Sequence, residues 1–563
     1  MDPLKPFFKE AKEMFSKYDS EISFSEPPDK KLGDISTTLC FELAKRYRKS
    51  PDELAEEIVD SIDLESFDYI SEVRAVNGYI NLFFDSRSLM ELTMRTVYEY
   101  GDRYGKTKER SGYVILEHTS ANPNGPLHLG HARNTIIGDT LARLLSSVGY
   151  KLERQFYVND MGRQIAVLVW YCLKEGIPET DEKFDHVIAS LYVKANEELE
   201  KNPDREKEII NIMRKYEKKD PEIDAIFKKI VDSCLKSQKE TLEKIKVFHD
   251  NFVWESKFVW NSDVKKILER LKESRYAKFD RSFSLDLHEF GIEKDLILLR
   301  EDGTTLYPLR DIAYHLWKLE KSDLAIDILG SDHKLPFKQL IQAIKILGFE
   351  KTPEAVFYEF ISLPEGSMST RRGIYISLDD LIDETIKRAY AEVKKRRPDL
   401  SEEEMKKISE IVGIGAIRYN IIRIAPEKPI TFKWEEALDF ERQGSPFIQY
   451  AHARACKILE KDFIPDLEEV DVSLLKDDHE IHLIKQISKF PRIVLESALE
   501  FKPHLLANYA QELATLFNRF YKYLPVLKAE TDLKKARLAL VYCSKVTLKN
   551  SLNILGIESP RSM

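Results

Sequence analysis

Two histidines three residues apart, His128 and His131, flank Leu129 and Gly130 just after the polar loop Asn122-Pro123-Asn124-Gly125-Pro126. Imidazoles donate hydrogen bonds in either protonation state, and a glycine lets a flat or charged ligand approach the backbone. The chemistry open to such a set is the binding and stabilisation of an anion. Tyr113–Leu116, a short apolar run rich in β-branched residues, has the length of a buried strand. Beyond the motif Ile136, Ile137, Leu141, Leu144, Leu145 and Val148 recur at helical spacing up to Gly149, a suitable residue to follow a helix end. The motif therefore lies where a strand hands over to a helix. A helix N-terminus carries unpaired N–H groups and a partial positive charge, a seat for phosphate or carboxylate. A lone H-x-G-H more often only caps a helix; the strand, the loop and the following Arg133-Asn134 favour the anion site.

Acidic residues appear at the same kind of junction further on. Leu296–Leu299 reads as a strand, Tyr307-Pro308-Leu309-Arg310-Asp311 opens a helix through Ala313, Leu316 and Leu319, and Leu324–Leu329 reads as another strand. That strand ends at Gly330-Ser331-Asp332-His333, and a helix over 337–347 follows. Such repetition builds a parallel sheet with crossover helices, and ligands bind outside the carboxyl ends of its strands. Asp311, Asp332 and Glu117 all fall at such ends. A guanidinium needs planar, paired acceptors, which carboxylates supply best. From the residues alone, a helix-cap or ion-pair role is the alternative for each acid. The later loop Pro364–Gly373 holds Met368, Ser369 and the adjacent Arg371 and Arg372, and a surface turn explains it equally well.

With 563 residues the chain exceeds one core, and length suggests about four domains. The expected class is α/β: a Rossmann-type parallel sheet interrupted by a helical insertion, with an N-terminal α+β domain and a C-terminal all-helical bundle. The boundaries fall at 1–105 for the α+β domain, 106–168 and 281–403 for the halves of the nucleotide-binding fold, 169–280 for the charged insertion, and 404–563 for the bundle. Pro203 and Pro221 divide the insertion into at least three helical pieces. In the first domain helices are expected over 6–18 and 37–49, another starts at Ser50-Pro51, and strands 69–76 and 78–84 pair around Asn77-Gly78.

Charged residues make up 33% and hydrophobic ones 43%, and no apolar run approaches the ~20 residues of a membrane span. The first residues read as an amphipathic helix rather than a signal peptide, so a cytoplasmic protein with no membrane contact is expected. Five cysteines, Cys40, Cys172, Cys234, Cys456 and Cys543, lie far apart, which argues for buried thiols and against a disulfide framework or a structural metal. A net charge of −9 does not advertise a nucleic-acid binder. Local basic faces still serve, because charges act over a Debye length of ~8 Å at physiological salt.

The sequence resembles the arginyl-tRNA synthetases. HLGH matches the HIGH motif of class I aminoacyl-tRNA synthetases, and Asn122–Leu127 with Tyr157–Gln164 narrow the likeness to the arginyl enzymes over nearly the whole chain. The resemblance implies that arginine attacks the α-phosphate of ATP, with Mg²⁺, and that the adenylate then esterifies the terminal ribose of tRNA(Arg). The substrates supply both nucleophiles, so the protein orients them and stabilises charge. The implied catalytic residues are His128, Gly130 and His131 with Arg371 and Arg372. Glu117, Asn122, Tyr307, Asp311 and Asp332 would bind arginine; His128, His131, Gly330, His333, Met368 and Ser369 would bind ATP. Tyr450, Arg454, Phe517, Arg519 and Tyr521, in a helical bundle where aromatics and bases interleave, would hold tRNA bases. A monomer is expected. The loop at 364–373 stands at the place of the KMSKS motif but lacks its lysines, and the lysine that compensates in many arginyl relatives is here Gly125. Arg371 and Arg372 are the nearest cations by sequence. Two other readings stay open: a cysteinyl-type synthetase, which would want a Cys–His zinc site, and a catalytically inactive RNA-binding relative, in which the motif would be free to decay.

Overall fold

The computed structural model describes residues 2–19, 21–301, 303–364 and 376–563. Its centre is a sheet of five parallel strands in the spatial order Glu354–Tyr358, Leu324–Gly330, Tyr113–Glu117, Lys151–Val158 and Asn251–Trp254. Numbered along the chain this is 5-4-1-2-3, a doubly wound order that reverses between Leu324–Gly330 and Tyr113–Glu117. Ligands bind in the crevice at that reversal, because neighbouring connections leave toward opposite faces there. Val114, Ile115 and Leu116 are buried, as the apolar run requires.

Two expectations about the sheet need correction. Leu296–Leu299 does not join it; the segment pairs antiparallel with Phe283–Leu285, which pairs with Ala277–Phe279 in a separate small sheet. A four-residue apolar run suggests a strand but not the identity of its partner, and here Ile297 is exposed. Asn251–Trp254, inside the stretch read as insertion, is instead the edge strand beside Lys151–Val158. Its four residues follow the 24-residue helix Pro221–Lys244, whose charge pattern masks them. The other α-helices of that stretch, after Arg163–Glu175, are Phe184–Lys201, Glu206–Glu217, Ser256–Trp260 and Asp263–Lys272. Pro221 occupies the first turn of its helix, where its missing N–H costs nothing, and Asp220 caps it by accepting from the Glu222 and Ile223 amides.

At the N-terminus, helices Lys5–Phe15, Leu39–Tyr47 and Pro51–Asp60 pack on a three-stranded antiparallel sheet. The hairpin Ile70–Val76/Tyr79–Phe84 turns at Asn77 and Gly78, both with positive φ as a two-residue turn demands. Ile35–Thr37, unforeseen in the sequence, adds the third strand against Tyr79–Phe84. The C-terminal region is helical, with Glu402–Ile422, Ser445–Glu460, Asp478–Leu499, Pro503–Tyr523 and Thr531–Ile554. All five cysteines are buried and free. Among the described residues no helix is long and apolar enough to cross a membrane.

A buried ion pair fastens the bundle to the nucleotide-binding fold. Arg418, wholly buried, donates to Asp139 at 2.6 Å, to the Ile245 carbonyl at 2.8 Å and to the Leu555 carbonyl at 3.0 Å. Gly556 lies against this guanidinium with φ +71°, and a Cβ there would come within 2.1 Å of it. The closing Gly556-Ile557 stretch is therefore a seat for Arg418.

Candidate active site

The helix Leu129–Ser147 begins at the motif, and its first turn fixes both imidazoles. The Gly130 amide donates to His128 Nδ1 at 3.1 Å, and the His128 amide donates to His131 Nδ1 at 3.2 Å. The rings stack with centroids 3.7 Å apart. An Nδ1 that accepts from a backbone N–H carries no proton, so each ring proton sits on Nε2, directed away from the helix turn. Burial lowers the pKa of both, and the neighbouring His128 helps to bring His131 down to about 3. The pair is thus two neutral Nε2–H donors at a helix N-terminus.

The next residues lock this turn into the fold. Arg133, fully buried, donates to the carbonyls of Glu359, Phe360, Ala425, Pro426 and Lys428, joining the exit of the strand Glu354–Tyr358 to the segment after Glu402–Ile422. Asn134 donates to the Ile328 carbonyl at 2.7 Å, spanning the reversal point of the sheet. The Leu378 amide donates to the Leu127 carbonyl at 2.7 Å, and His128 bridges Ser377. Met368, Ser369, Arg371 and Arg372 lie outside the described residues.

On the other side of the crevice the helix Tyr307–Lys321 presents Tyr307, Asp311, His315 and Lys318 along one face. Tyr307 is 57% exposed and Asp311 is partly exposed, while His315 and Lys318 are buried. His315 Nδ1 contacts Asp311 Oδ1 at 3.0 Å and the Asp311 carbonyl at 2.8 Å; its Nε2 contacts Asp327 Oδ2 at 3.0 Å. Every one of these partners is an acceptor, so both ring nitrogens carry protons and His315 is an imidazolium. Burial and Lys318 oppose the charge, but Asp311 and Asp327 outweigh them and raise the pKa to about 10. Lys318 binds Asp327 Oδ1 and reaches Glu117 Oε2 at 2.9 Å. Asp327 and Glu117 are register partners on adjacent strands, so the ammonium separates two buried carboxylates. Burial raises the pKa of both; it leaves Glu117 raised, whereas Lys318 and His315 hold Asp327 well below the carboxylate range. Glu117, His315 and Asp327 have the spacing of metal ligands, with ligand atoms within 4.8 Å. Lys318 binds both carboxylates, so the cation of this cluster is the protein's own.

Glu117 and Asp311 thus belong to one hydrogen-bonded set, although both Glu117 oxygens already accept, one from Lys318 and one from Ser120 at 2.9 Å. Beside it Tyr157 stacks on Tyr314 with centroids 4.4 Å apart, and its buried hydroxyl has no hydrogen-bond partner among the described residues. Asn122 is exposed at the mouth, where its amide and that of Asn124 donate to Gln164 at 3.1 Å. Asp332 and His333 are exposed in the turn after Gly330, 3.7 Å from each other, and stand outside the Asp311 set. Sequence reasoning missed His315, Lys318 and Asp327. The only signal for them was a histidine four and a lysine seven residues after Asp311, on the same helical face.

In the bundle a groove of about 930 Å³ is lined by Tyr450, Arg454 and Tyr521 together with Arg397, Lys457 and Lys522. The Arg454 guanidinium lies 4.7 Å from the Tyr450 ring centroid and 5.2 Å from that of Tyr521, and Asn518 accepts from it. Phe517 is a correction: it is fully buried in the core near Phe520 and has no ring face for a base. Arg519 is exposed but does not line the groove.

Comparisons with known proteins agree with this geometry from end to end. Family models match residues 5–84 ("Arginyl tRNA synthetase N terminal domain"), 93–434 ("tRNA synthetases class I (R), catalytic domain") and 448–563 ("DALR anticodon binding domain"). The chain is 47% identical to an arginine–tRNA ligase of Methanocaldococcus jannaschii over 100% of both chains, and 50% identical to one of Methanospirillum hungatei over 94% of each. It superposes on the arginyl-tRNA synthetase of Thermus thermophilus with a TM-score of 0.84 at 28% identity, covering 99% of this chain and 100% of that one. With a doubly wound sheet, the HLGH helix at its reversal point and relatives matched along its full length, the chain belongs to the arginyl-tRNA synthetase family.

Proposed function

We propose a division of labour in which His128 and His131 steady the phosphates of ATP while Asp311 takes the guanidinium of arginine. The arginine carboxylate attacks the α-phosphate and pyrophosphate leaves; the terminal ribose hydroxyl of tRNA(Arg) then attacks the adenylate's carbonyl carbon, forming the ester and releasing AMP. Negative charge builds on the phosphates in both steps, and Nε2–H donors fixed at a helix N-terminus meet it without reorganising. Gly130 keeps that approach open. Tyr307 packs along the substrate's side chain, Asn122 orients its α-amino group, and Glu117 closes the acidic end. Gly330 and His333 lie on the ATP side with Asp332 nearby. ATP enters as its Mg²⁺ complex, and Arg371 and Arg372 share the phosphate charge in place of the missing lysines. Tyr450, Arg454 and Tyr521 stack on tRNA bases, in a monomeric cytoplasmic enzyme.

The observation that carries this reading is the pairing of two neutral imidazole donors, fixed by backbone amides, with a partly exposed carboxylate across the same crevice. Pyrophosphate exchange into ATP, run with each of the twenty amino acids and with or without total tRNA, tests it. Exchange with arginine alone among them is expected, and only when tRNA is present. Exchange with a different amino acid would overturn the reading.

A further inference from the structure

Five titratable groups meet behind the arginine pocket in one chain of ion pairs, and with each in its ion-paired form their charges do not cancel. Glu117, Asp327 and Asp311 contribute three negative charges; Lys318 and His315 contribute two positive ones. Lys318 and Glu117 are 2.9 Å apart, and His315 and Asp327 are 3.0 Å apart. These four are buried, while Asp311 retains 38% of its side-chain exposure. The one negative charge left over is therefore the one that faces the crevice. His315 also grips Asp311 Oδ1, which leaves Oδ2 for an incoming ligand. Tyr314, whose ring lies 5.4 Å from that of His315, donates to Gln155 at 2.9 Å and adds no charge.

We propose that His315, Lys318 and Asp327 are positioning residues that leave this cluster with one uncompensated negative charge and aim it through Asp311 at one cationic side chain. The inference rests on Asp311 as the guanidinium partner. A carboxylate in a low-dielectric wall attracts a cation strongly only if its neighbours neither cancel its charge nor add repulsive charge of their own. Left without a partner, the buried Asp327 beside Glu117 would draw a cation away from Asp311 or take up a proton. The ammonium and the imidazolium remove that competition. A neutral isostere of arginine such as citrulline then leaves Asp311 unpaired, which is where the discrimination arises.

The test compares the arginine KM and the citrulline inhibition constant in three variants, with the ATP KM as internal control. Asp327→Asn takes the pocket to zero net charge without touching substrate; the arginine KM should rise at least tenfold while the ATP KM stays within twofold. His315→Gln/Asp327→Asn removes one charge of each sign, so the arginine KM should return to within about threefold of the parent. A general loss of packing would not be repaired by a second substitution. A double variant no better than the single one overturns the proposal. Should the single variant not fold, the double decides alone: its preference for arginine over citrulline must match the parent's within threefold, and a collapse of that preference is the contrary result. Asp311→Asn separates the two claims. An arginine KM unchanged in that variant sinks the assignment of Asp311 itself, whereas a raised one beside an unresponsive Asp327→Asn sinks only the charge frame.

Discussion

The two walls of the crevice use the same side chain in opposite states. At the HLGH turn, backbone amides donate to the Nδ1 atoms of His128 and His131, and the rings stay neutral. On the helix Tyr307–Lys321, His315 lies between a carboxylate with its own carbonyl and a second carboxylate, and it is charged. What differs is the partner, not the residue: N–H donors select the neutral form, acceptors on both nitrogens select the cation. In the proposed division of labour, the neutral pair suits anionic phosphates because it donates without storing a charge that must be neutralised when ATP is absent. In the same proposal, the charged ring suits a pocket for a cation because it cancels Asp327, an acid that would otherwise compete with Asp311.

The largest expected effect breaks the cationic side. Asp311→Asn should lower kcat/KM for arginine by roughly 10⁴-fold, since a site built around a hydrogen-bonded charge rejects the mismatch by ~10⁴–10⁵. Steady-state aminoacylation measures it, and the loss should lie mainly in KM. On the phosphate side, His128→Asn keeps an N-cap acceptor for Gly130 but withdraws the Nε2–H donor. The activation rate should fall by about 10²-fold with little change in the arginine KM, the signature of a contact made in the transition state. A matching rise in KM would count against that role.

The walls should also differ in pH dependence of stability. His131, held at about 3 against an ordinary 6.5, is protonated more readily when unfolded, so stability falls as pH drops from 6.5 toward 3. His118, also buried and at about 3, shares that window. His315, raised to about 10, works in the opposite sense: its contribution is complete below 6.5 and is lost as pH rises toward 10. Denaturant melts of the parent, His131→Asn and His315→Gln across pH should show the acid window made shallower, with His118 still contributing, in the first variant and the alkaline window flattened in the second. Smaller still, Tyr450→Ala should raise the tRNA KM about tenfold, as losing a stacking face costs ~1–3 kcal/mol. Pyrophosphate exchange at saturating tRNA should be unaffected by it.

The two walls were unequally legible in the sequence. The HLGH turn could be read because strand, loop and helix are contiguous from Tyr113 to Gly149, and local spacing determines the local structure. Asp311 and Tyr307 could be read for the same reason. The charge frame could not. Asp327 sits in the apolar run Leu324–Gly330, where a single acid gives no periodicity, and its neighbour Glu117 is distant in sequence and adjacent only through sheet register. Lys318 and His315 look like solvated helix charges until the strand they cover is known. Phe517 failed differently: aromatics at 517, 520, 521 and 523 show a helix but not which face is inward, and Phe517 and Phe520 face the core while Tyr521 and Tyr523 are exposed. Leu296–Leu299 was assigned to the wrong sheet because a run of four apolar residues is compatible with any partner strand.

The contrast between the walls rests on the protonation of three rings among the chain's 12 histidines. Ring ¹⁵N shifts of selectively labelled protein near pH 7, assigned with His128→Asn, His131→Asn and His315→Gln, report it most directly. The account predicts that His128 and His131 appear as neutral Nε2–H tautomers and that His315 remains an imidazolium until the pH approaches 10. Doubly protonated rings at 128 and 131, or a ring at 315 that titrates near 6.5, would contradict it.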